Sequence, residues 1–180
     1  LHYTAPPLTS GSIVSATADT TTATDDDTVT MTVVGSETLS ANAAGGKPAC
    51  TFTVNSAAAT NADTVTNTGG NTWTCAFDID SSDSDGAVAF TITFDDLAGN
   101  AGTSVTSTSD SSSVTLDDTV PTLTSVSIDS NNAETSATAE TAIDGNTVTL
   151  TFVGSETLSA GAGKPACAFT LNSVAATNAD

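Results

Sequence analysis

The fold is decided by residues 28–40, TVTMTVVGSETLS, in which apolar and hydroxyl side chains alternate. Val29, Met31 and Val33 share one parity, and the threonines between them share the other. Successive side chains of a β-strand point to opposite faces of the sheet, so this period of two predicts a strand with one buried and one solvent-facing side. Glu37 ends the strand.

The same stretch occurs a second time, as residues 147–159 (TVTLTFVGSETLS). Residues 1–13 likewise return as residues 116–128, and the Lys-Pro-Ala-Cys sequence of residues 47–50 returns further along the chain. Tandem repeats are typical of proteins whose role is length, display or assembly rather than chemistry.

The repeats define the domain organisation. Residues 1–115 form one complete module, and residues 116–180 form the N-terminal part of a second copy that stops a little past its middle. A module of about 115 residues can bury its own core. We expect the chain to be a segment of a longer array.

Further runs in the first module show the same alternation. Their inward residues are Cys50, Phe52, Val54, Trp73, Cys75, Phe77, Val88, Phe90, Ile92, Phe94, Val114 and Leu116, with Leu8 and Ile13 at the start. Glycine-rich turn signals separate them, at residues 45–46, 68–71, 83–86 and 99–102. Short strands at this spacing predict an all-β fold, an antiparallel β-sandwich.

The cysteines support a sandwich core. Cys50 and Cys75 both fall on the inward parity of their strands, and Trp73 lies beside the second on the same face. A disulfide between them would stabilise the module by about 3 kcal/mol and would indicate an oxidising, extracellular setting. The alternative is two free buried thiols. Cys167 is the copy of Cys50 and is unpaired within this sequence.

The charge balance excludes two classes of partner. The chain carries 21 acidic residues against 2 lysines and no arginine, for a formal net charge of −19. Binding to nucleic acid or to an anionic membrane surface requires clustered cations. We therefore expect no nucleic-acid or membrane partner, which leaves cations, glycans and other copies of the chain.

Threonine and serine make up about a third of the chain. Because the threonines alternate with Val, Ile, Leu and Phe, we interpret them as solvent-facing strand positions rather than as a disordered stalk. Their hydroxyl groups are candidate sites for O-linked glycans, whereas no Asn-x-Ser/Thr sequon is present. No apolar run reaches the roughly 20 residues that span a bilayer, so we expect no membrane insertion in this segment.

Three segments carry a resemblance to a known family. These are residues 94–102 (FDDLAGNAG), 116–128 (LDDTVPTLTSVSI) and 147–156 (TVTLTFVGSE). They resemble the bacterial immunoglobulin-like, cadherin-like tandem repeats of large secreted surface proteins and adhesins. The resemblance implies immunoglobulin-like β-sandwich modules in tandem, joined by an Asp-x-Thr-x-Pro segment. Paired cysteines are not general in that family.

The resemblance also implies a calcium site. Some adhesin arrays of this kind bind Ca²⁺ at module junctions, and Ca²⁺ takes about six to eight oxygen ligands. Asp117 and Asp118 at the junction, with Asp96 and Asn100 in the nearby turn, are the candidate ligands. At the first boundary, His-Tyr at residues 2–3 replaces the Asp-Asp pair. The alternative is that these side chains build turns by bonding their own backbone.

A second candidate calcium site is the Asp-x-Asp-Gly turn that contains Asp83 and Asp85. It is not an EF-hand loop, because its twelfth position is Ile92 rather than Glu. The turn-building alternative applies here as well. We interpret the three aspartates at residues 25–27 as a solvated turn before a strand.

The only two cationic side chains, Lys47 and Lys164, occupy the same position of the repeat. Glu37 and Glu156 precede them, at the ends of the preceding strands. We interpret these four residues as candidates for a Lys–Glu contact between neighbouring loops or subunits. An exposed pair contributes only about 0–1 kcal/mol, so such a contact would set register more than strength.

We do not expect an enzyme. The single His lies at position 2, and the chain has no Gly-x-Ser-x-Gly elbow, so neither a catalytic triad nor a His-based metal site can form. The sequence predicts a structural repeat module of an extracellular protein, a filament subunit or a surface stalk, that gives length, rigidity and assembly contacts. The alternative is a Ca²⁺-dependent cell-adhesion module that binds a glycan or another cell surface.

Overall fold

The computed structural model describes residues 4–41, 47–61, 63–133, 141–161, 163–172 and 174–175. Within these residues every regular secondary-structure element is a β-strand. This part of the chain contains no helix that is long and apolar enough to cross a membrane. The chain divides into two compact units, Leu1–Thr119 (unit 1) and Val120–Asp180 (unit 2). His2, Tyr3 and the predicted turn at Gly45 and Gly46 lie outside the described residues.

The described part of unit 1 contains nine strands. They are Leu8–Ser15 (β1), Thr22–Ala23 (β2), Thr28–Gly35 (β3), Ala49–Val54 (β4), Ala57–Ala58 (β5), Thr64–Gly69 (β6), Thr72–Asp78 (β7), Gly86–Thr93 (β8) and Thr115–Leu116 (β9). Threonine, β-branched aliphatic and aromatic residues dominate the longer strands. Such residues suit a pleated surface that is buried on one side.

These strands form two sheets. The first has the order β1-β3-β7-β6, and the second has the order β2-β9-β8-β4-β5. All neighbours are antiparallel except β2 and β9, which are parallel. The sheets face each other across one core, since the ring of Phe52 on β4 stacks on that of Phe77 on β7 with centroids 4.6 Å apart. Unit 1 is therefore a β-sandwich.

The alternating stretch of residues 28–40 supplies β3, an inner strand of the first sheet. Val29, Met31 and Val33 are each 0% exposed, while the threonines between them are half-buried. Their partners across the antiparallel pair with β7 are Phe77, Cys75 and Trp73, in that order. The period of two therefore places the apolar half of each strand in the shared core.

Glycine is required at two kinds of position in unit 1. The hairpin between β6 and β7 turns through Gly69 and Gly70, whose φ angles of 133° and 57° are costly for residues with a Cβ atom. Gly102 instead lies against the ring of Phe94, where a Cβ atom would come within 2.2 Å of Cε2. The backbone there can approach the core only because no side chain intervenes.

The described part of unit 2 contains four strands in two separate pairs. Leu123–Ser130 (β10) pairs with Val148–Gly154 (β11), and Thr170–Leu171 (β12) pairs with Val174–Ala175 (β13), both antiparallel. Large apolar side chains of these strands are exposed, including Ile128 at 55% and Leu171 at 73%. Unit 2 thus has strands with one apolar face but no covering sheet among the described residues.

The structure confirms the all-β, antiparallel sandwich that the alternation predicted. Unit 1 extends to Thr119, a few residues beyond the predicted module end at residue 115. The difference arises because Leu116 belongs to β9 and is 1% exposed in the core of unit 1. The immunoglobulin-like assignment stays a prediction.

Candidate functional site

The predicted disulfide joins the two sheets of unit 1. Cys50 on β4 and Cys75 on β7 are bonded, with a Cα–Cα distance of 6.2 Å, and are 6% and 0% exposed. Trp73, two residues earlier on the same face of β7, is 4% exposed. The parity of the two cysteines therefore predicted both their burial and their pairing.

At one end of unit 1, Asp85 forms hydrogen bonds with the segment that follows β9. Its carboxylate accepts hydrogen bonds from the backbone N–H of Asp118 at 2.9 Å and from the hydroxyl of Thr119 at 2.5 Å. The Thr119 hydroxyl, and secondarily the Asp118 N–H, lower the pKa of Asp85 below its usual 3.8, because both bonds favour the charged form. The carboxylate of Asp118 in turn accepts a long bond of 3.4 Å from the N–H of Asp25.

Asp96 and Asn100 build a turn that follows β8. Asp96 is 3% exposed, and its carboxylate accepts hydrogen bonds from the N–H groups of Ala98 and Asn100 at 2.8 Å each. The Asn100 side-chain amide donates to the other carboxylate oxygen at 2.7 Å. The backbone of Asp96 also forms an isolated antiparallel β-bridge with Leu39, which follows β3. Asp96 therefore stabilises the loop by accepting hydrogen bonds from local backbone, and the Asn100 side chain stabilises it by bonding the Asp96 carboxylate.

The structure does not bring the four predicted junction ligands together. Asp117 and Asp118 lie near the start of β8, whereas Asp96 and Asn100 follow its end. A strand of this length spans about 25 Å at roughly 3.3 Å per residue. Among the described residues, no group of three or more His, Cys, Asp and Glu side chains is arranged to hold a metal ion. Calcium binding stays a prediction.

Asp83, the other member of the second candidate calcium site, closes a loop as well. Its carboxylate accepts hydrogen bonds from the N–H and hydroxyl of Thr60, at 3.2 and 2.9 Å, and from the N–H of Asp80 at 3.1 Å. Asp83 and Asp85 thus face different partners. In the turn at residues 25–27, the Asp27 carboxylate accepts from the N–H and hydroxyl of Thr24, as expected for a turn before a strand.

The assembly candidates lie on the surface of their units. Lys47 and Glu37 in unit 1 are half-buried, as is Glu156 in unit 2, while Lys164 is exposed. Glu37 lines a groove of about 320 Å³ together with Thr38, Asp96, Leu97 and Ala98. The Lys–Glu contact stays a prediction. Cys167 is a free cysteine and is exposed.

Sequence reasoning did not identify the residues that form hydrogen bonds with the outer edge of β1. The outer edge of β1 is bonded by a loop: the N–H of Gly11 donates to the hydroxyl of Ser109 at 3.0 Å, and the N–H of Ile13 donates to that of Ser112 at 2.8 Å. The loop donates back from the Ser109 N–H to the Gly11 carbonyl at 2.9 Å. A serine-rich segment gave no periodic signal that could have located it.

No family model matches this chain, and no curated protein or solved structure matches it either. The function therefore has to be inferred from the repeats, the contacts at the junction and the exposed surfaces of the two units.

Proposed function

We propose that the chain is a structural repeat segment of an extracellular protein, a filament subunit or surface stalk, in which successive modules give length and rigidity. The observation that carries this proposal is that each unit forms hydrogen bonds to the residues at its own end of the connecting segment. The disulfide in the core of unit 1 supports the extracellular setting, because such bonds persist in oxidising compartments.

Unit 1 holds the chain up to Thr119. The N–H of Asp117 donates to the carbonyl of Ala23 at 3.0 Å, and the next two residues bond the carboxylate of Asp85. These bonds fix the direction in which the chain leaves the sandwich, since they tie it to both β2 and the start of β8.

Unit 2 holds the chain from Thr122 onward. The N–H of Thr122 donates to the hydroxyl of Ser155 at 3.0 Å, and the N–H of Ser155 donates to the carbonyl of Thr122 at 2.7 Å. Only Val120 and Pro121 lie between the two sets of bonds. The ring of Pro121 fixes its φ angle, so few backbone torsions remain free to bend the connection. A short and restricted linker supports a role in rigidity.

The surface of unit 1 also supports a structural role over sugar binding. Sugars stack on exposed aromatic rings, whereas Trp73 and the phenylalanines at positions 52, 77, 90 and 94 are each at most 8% exposed. Of the two outer strands of the first sheet, β1 is bonded by the serine-rich loop, whereas β6 is largely exposed and, among the described residues, pairs only with β7. The free edge of β6 is therefore a candidate for lateral contacts between neighbouring chains.

Electron microscopy of the native material, untreated and after calcium chelation, tests the proposal. We expect ordered filaments or stiff strings in the untreated sample, and we expect them to survive chelation if the linker bonds provide the rigidity. Isolated compact particles in the untreated sample would contradict the proposal. Strings that become flexible only on chelation would favour the calcium-dependent adhesin and would direct attention to Asp117 and Asp118.

A further inference from the structure

The outer strands of unit 1 differ in how they are protected from pairing with another chain. In the second sheet the outer strands β2 and β5 have only two residues each. In the first sheet the outer strand β1 is bonded along its edge by the serine-rich loop. Short strands and covering loops are two devices that prevent edge-to-edge association. The strand β6 has neither, since it contains six residues and, in the described part of the chain, pairs only with β7.

The sequence of β6 also lacks the other common protective features. Thr-Val-Thr-Asn-Thr-Gly contains no charged residue and no proline, the two residue types that most often keep a second strand away. Every residue of β6 is exposed except Val65, which is half-buried. In a chain with a formal net charge of −19, an uncharged edge is the place where another copy meets the least repulsion.

The pairing of β7 shows which of its backbone groups face β6. The N–H of Gly35, at the end of β3, donates to the carbonyl of Asn71, just before β7, at 2.9 Å. At the other end of β7, the carbonyl of Asp78 accepts a bond of 2.8 Å from the side chain of Asn61, which precedes β6. The backbone groups of successive residues in a strand point to opposite sides. The odd-numbered residues of β7 therefore face β3, and the even-numbered residues, including Thr74, face β6.

This alternation identifies the unused backbone groups of β6. Thr66 is the register partner of Thr74, so its N–H and C=O groups face β7. The groups of Val65 and Asn67, on either side of it, point away from β7 and form no hydrogen bond to other parts of the described chain. The one irregularity in the pairing lies at the turn end of the strand, between Asn67 and Gly69. The free edge of β6 is thus regular around Thr66.

We propose that β6 pairs with β6 of a second copy of this chain, antiparallel and about a two-fold axis, with Thr66 opposite its own copy. In this register Val65 of each copy exchanges its outward N–H and C=O groups with Asn67 of the other. Thr64 lies opposite Thr68, so threonine side chains meet across the two strands. The first sheets of the two copies then form one continuous sheet.

The sequence of β6 favours a second copy as the occupant because it is nearly symmetric about Thr66, with a threonine two residues away on each side. A two-fold contact requires such self-complementarity. The same register separates the two Asp63 carboxylates, the acidic groups nearest to β6 in sequence, by about 20 Å at roughly 3.3 Å per residue. That distance exceeds the screening length of about 8 Å at physiological salt, so these charges do not oppose the contact.

This inference rests on the proposed assembly role and names a lateral contact within it, but the two fail separately. Native material that forms stiff strings, while the chain never pairs through β6, would keep the structural role and remove this contact. A single edge contact is small beside a standard interface, so we expect weak pairing in this chain. Arrays in which several modules engage at once would pair more strongly.

Sedimentation equilibrium of the full chain tests the pairing, with Cys167→Ser as the background so that the exposed thiol cannot link two copies. We expect a reversible monomer–dimer equilibrium at up to millimolar chain concentration. The dimer should strengthen as salt is added, because salt screens the repulsion between two acidic chains and leaves backbone hydrogen bonds in place. A dimer that weakened with salt would indicate an ion pair, such as the predicted Lys–Glu contact, and would overturn the proposal, as would a chain that stayed monomeric throughout.

A charge exchange at Thr66 tests the two-fold register. Thr66→Asp and Thr66→Lys each place like charges opposite each other at the axis, and each should weaken the dimer at least about tenfold. An equal mixture of the two variants places Asp opposite Lys and should form a heterodimer at least as tight as the unsubstituted dimer.

The matched controls are Thr51→Asp and Thr51→Lys, on the outward side of β4 in the other sheet. Thr51 and Thr66 are both exposed threonines within strands, so none of these changes removes a buried contact. The Thr51 variants should dimerise like the unsubstituted chain. Equal effects at the two positions, or no heterodimer in the mixture of Thr66 variants, would overturn the proposal.

Discussion

The disulfide between Cys50 and Cys75 should supply a large part of the stability of unit 1. The two cysteines are separated by 25 residues in the sequence. On the chain-entropy relation, closing a loop of that length reduces the entropy of the unfolded chain by about 12 cal/mol/K, which corresponds to about 3.5 kcal/mol at 25 °C. Unit 1 has about 120 residues, so its entropy of unfolding is about 250 cal/mol/K and the expected change in Tm is about 14 °C.

The measurement compares oxidised and reduced forms of the same chain. Because both sulfurs are buried, reductant must be added to the unfolded chain in denaturant and kept present on refolding. The Cys167→Ser background removes the exposed thiol, which would otherwise exchange with the bond, and should not itself change the Tm. Thermal melts followed by circular dichroism then report the Tm of both forms, and mass spectrometry verifies the redox state.

Reduction leaves every side chain in place, so the shift isolates the covalent link from the packing of the sulfur atoms. A reduced form that melts within about 3 °C of the oxidised form would refute this reasoning, since less than about a quarter of the expected entropy effect would then remain. Disulfide mapping that placed Cys167 in the bond instead of Cys50 or Cys75 would refute the pairing itself.

Three further substitutions probe the sandwich and its loops. Gly102→Ala should destabilise unit 1 by about 1–3 kcal/mol in denaturant titrations, because the added Cβ overlaps the ring of Phe94. Asp96→Ala should cost about 2–3 kcal/mol in the same assay, since it leaves the N–H groups of its turn without their acceptor. Asp85→Asn should change the pH dependence: the lowered pKa of Asp85 stabilises the fold above pH 3.8, and this contribution is lost as the pH falls below that value, so the Tm difference from wild type should shrink in acid.

Control substitutions exist for the first two of these changes. Gly161→Ala adds a methyl group where nothing lies within 4 Å and should leave stability unchanged. Leu97→Ala alters the turn beside Asp96 at a side chain that is 72% exposed and should have little effect. A Tm difference for Asp85→Asn that stayed constant, or grew, between about pH 5 and pH 2 would contradict the assigned sign.

The strands and core of unit 1 could be predicted from the sequence because the signal for both is local. At Val29, Met31 and Val33 the alternation with threonine determines which face is apolar, and the structure buries all three fully. The same parity placed Cys50 and Cys75 inside and so predicted their bond. A pattern of period two needs no knowledge of the rest of the chain to define an inward face.

The polar contacts could not be predicted in the same way, because they join residues that are distant in sequence and have no periodic signal. Asp85 reaches Asp118 and Thr119 across 33 and 34 residues, and Ser109 reaches Gly11 across 98. Aspartate fits a metal site and a turn equally well on composition alone. The structure shows which N–H groups donate to each carboxylate, information that no local sequence pattern contains.

Unit 2 shows that alternation determines which face of a strand is apolar but does not determine what buries that face. Val148 and Ile128 follow the same pattern as Val29 and Ile13, yet only the latter pair is buried, because burial depends on the strands that the second half of the repeat supplies. The register of β10–β11 is the same as that of β1–β3, so the repeated residues encode which residues pair even though they do not determine burial.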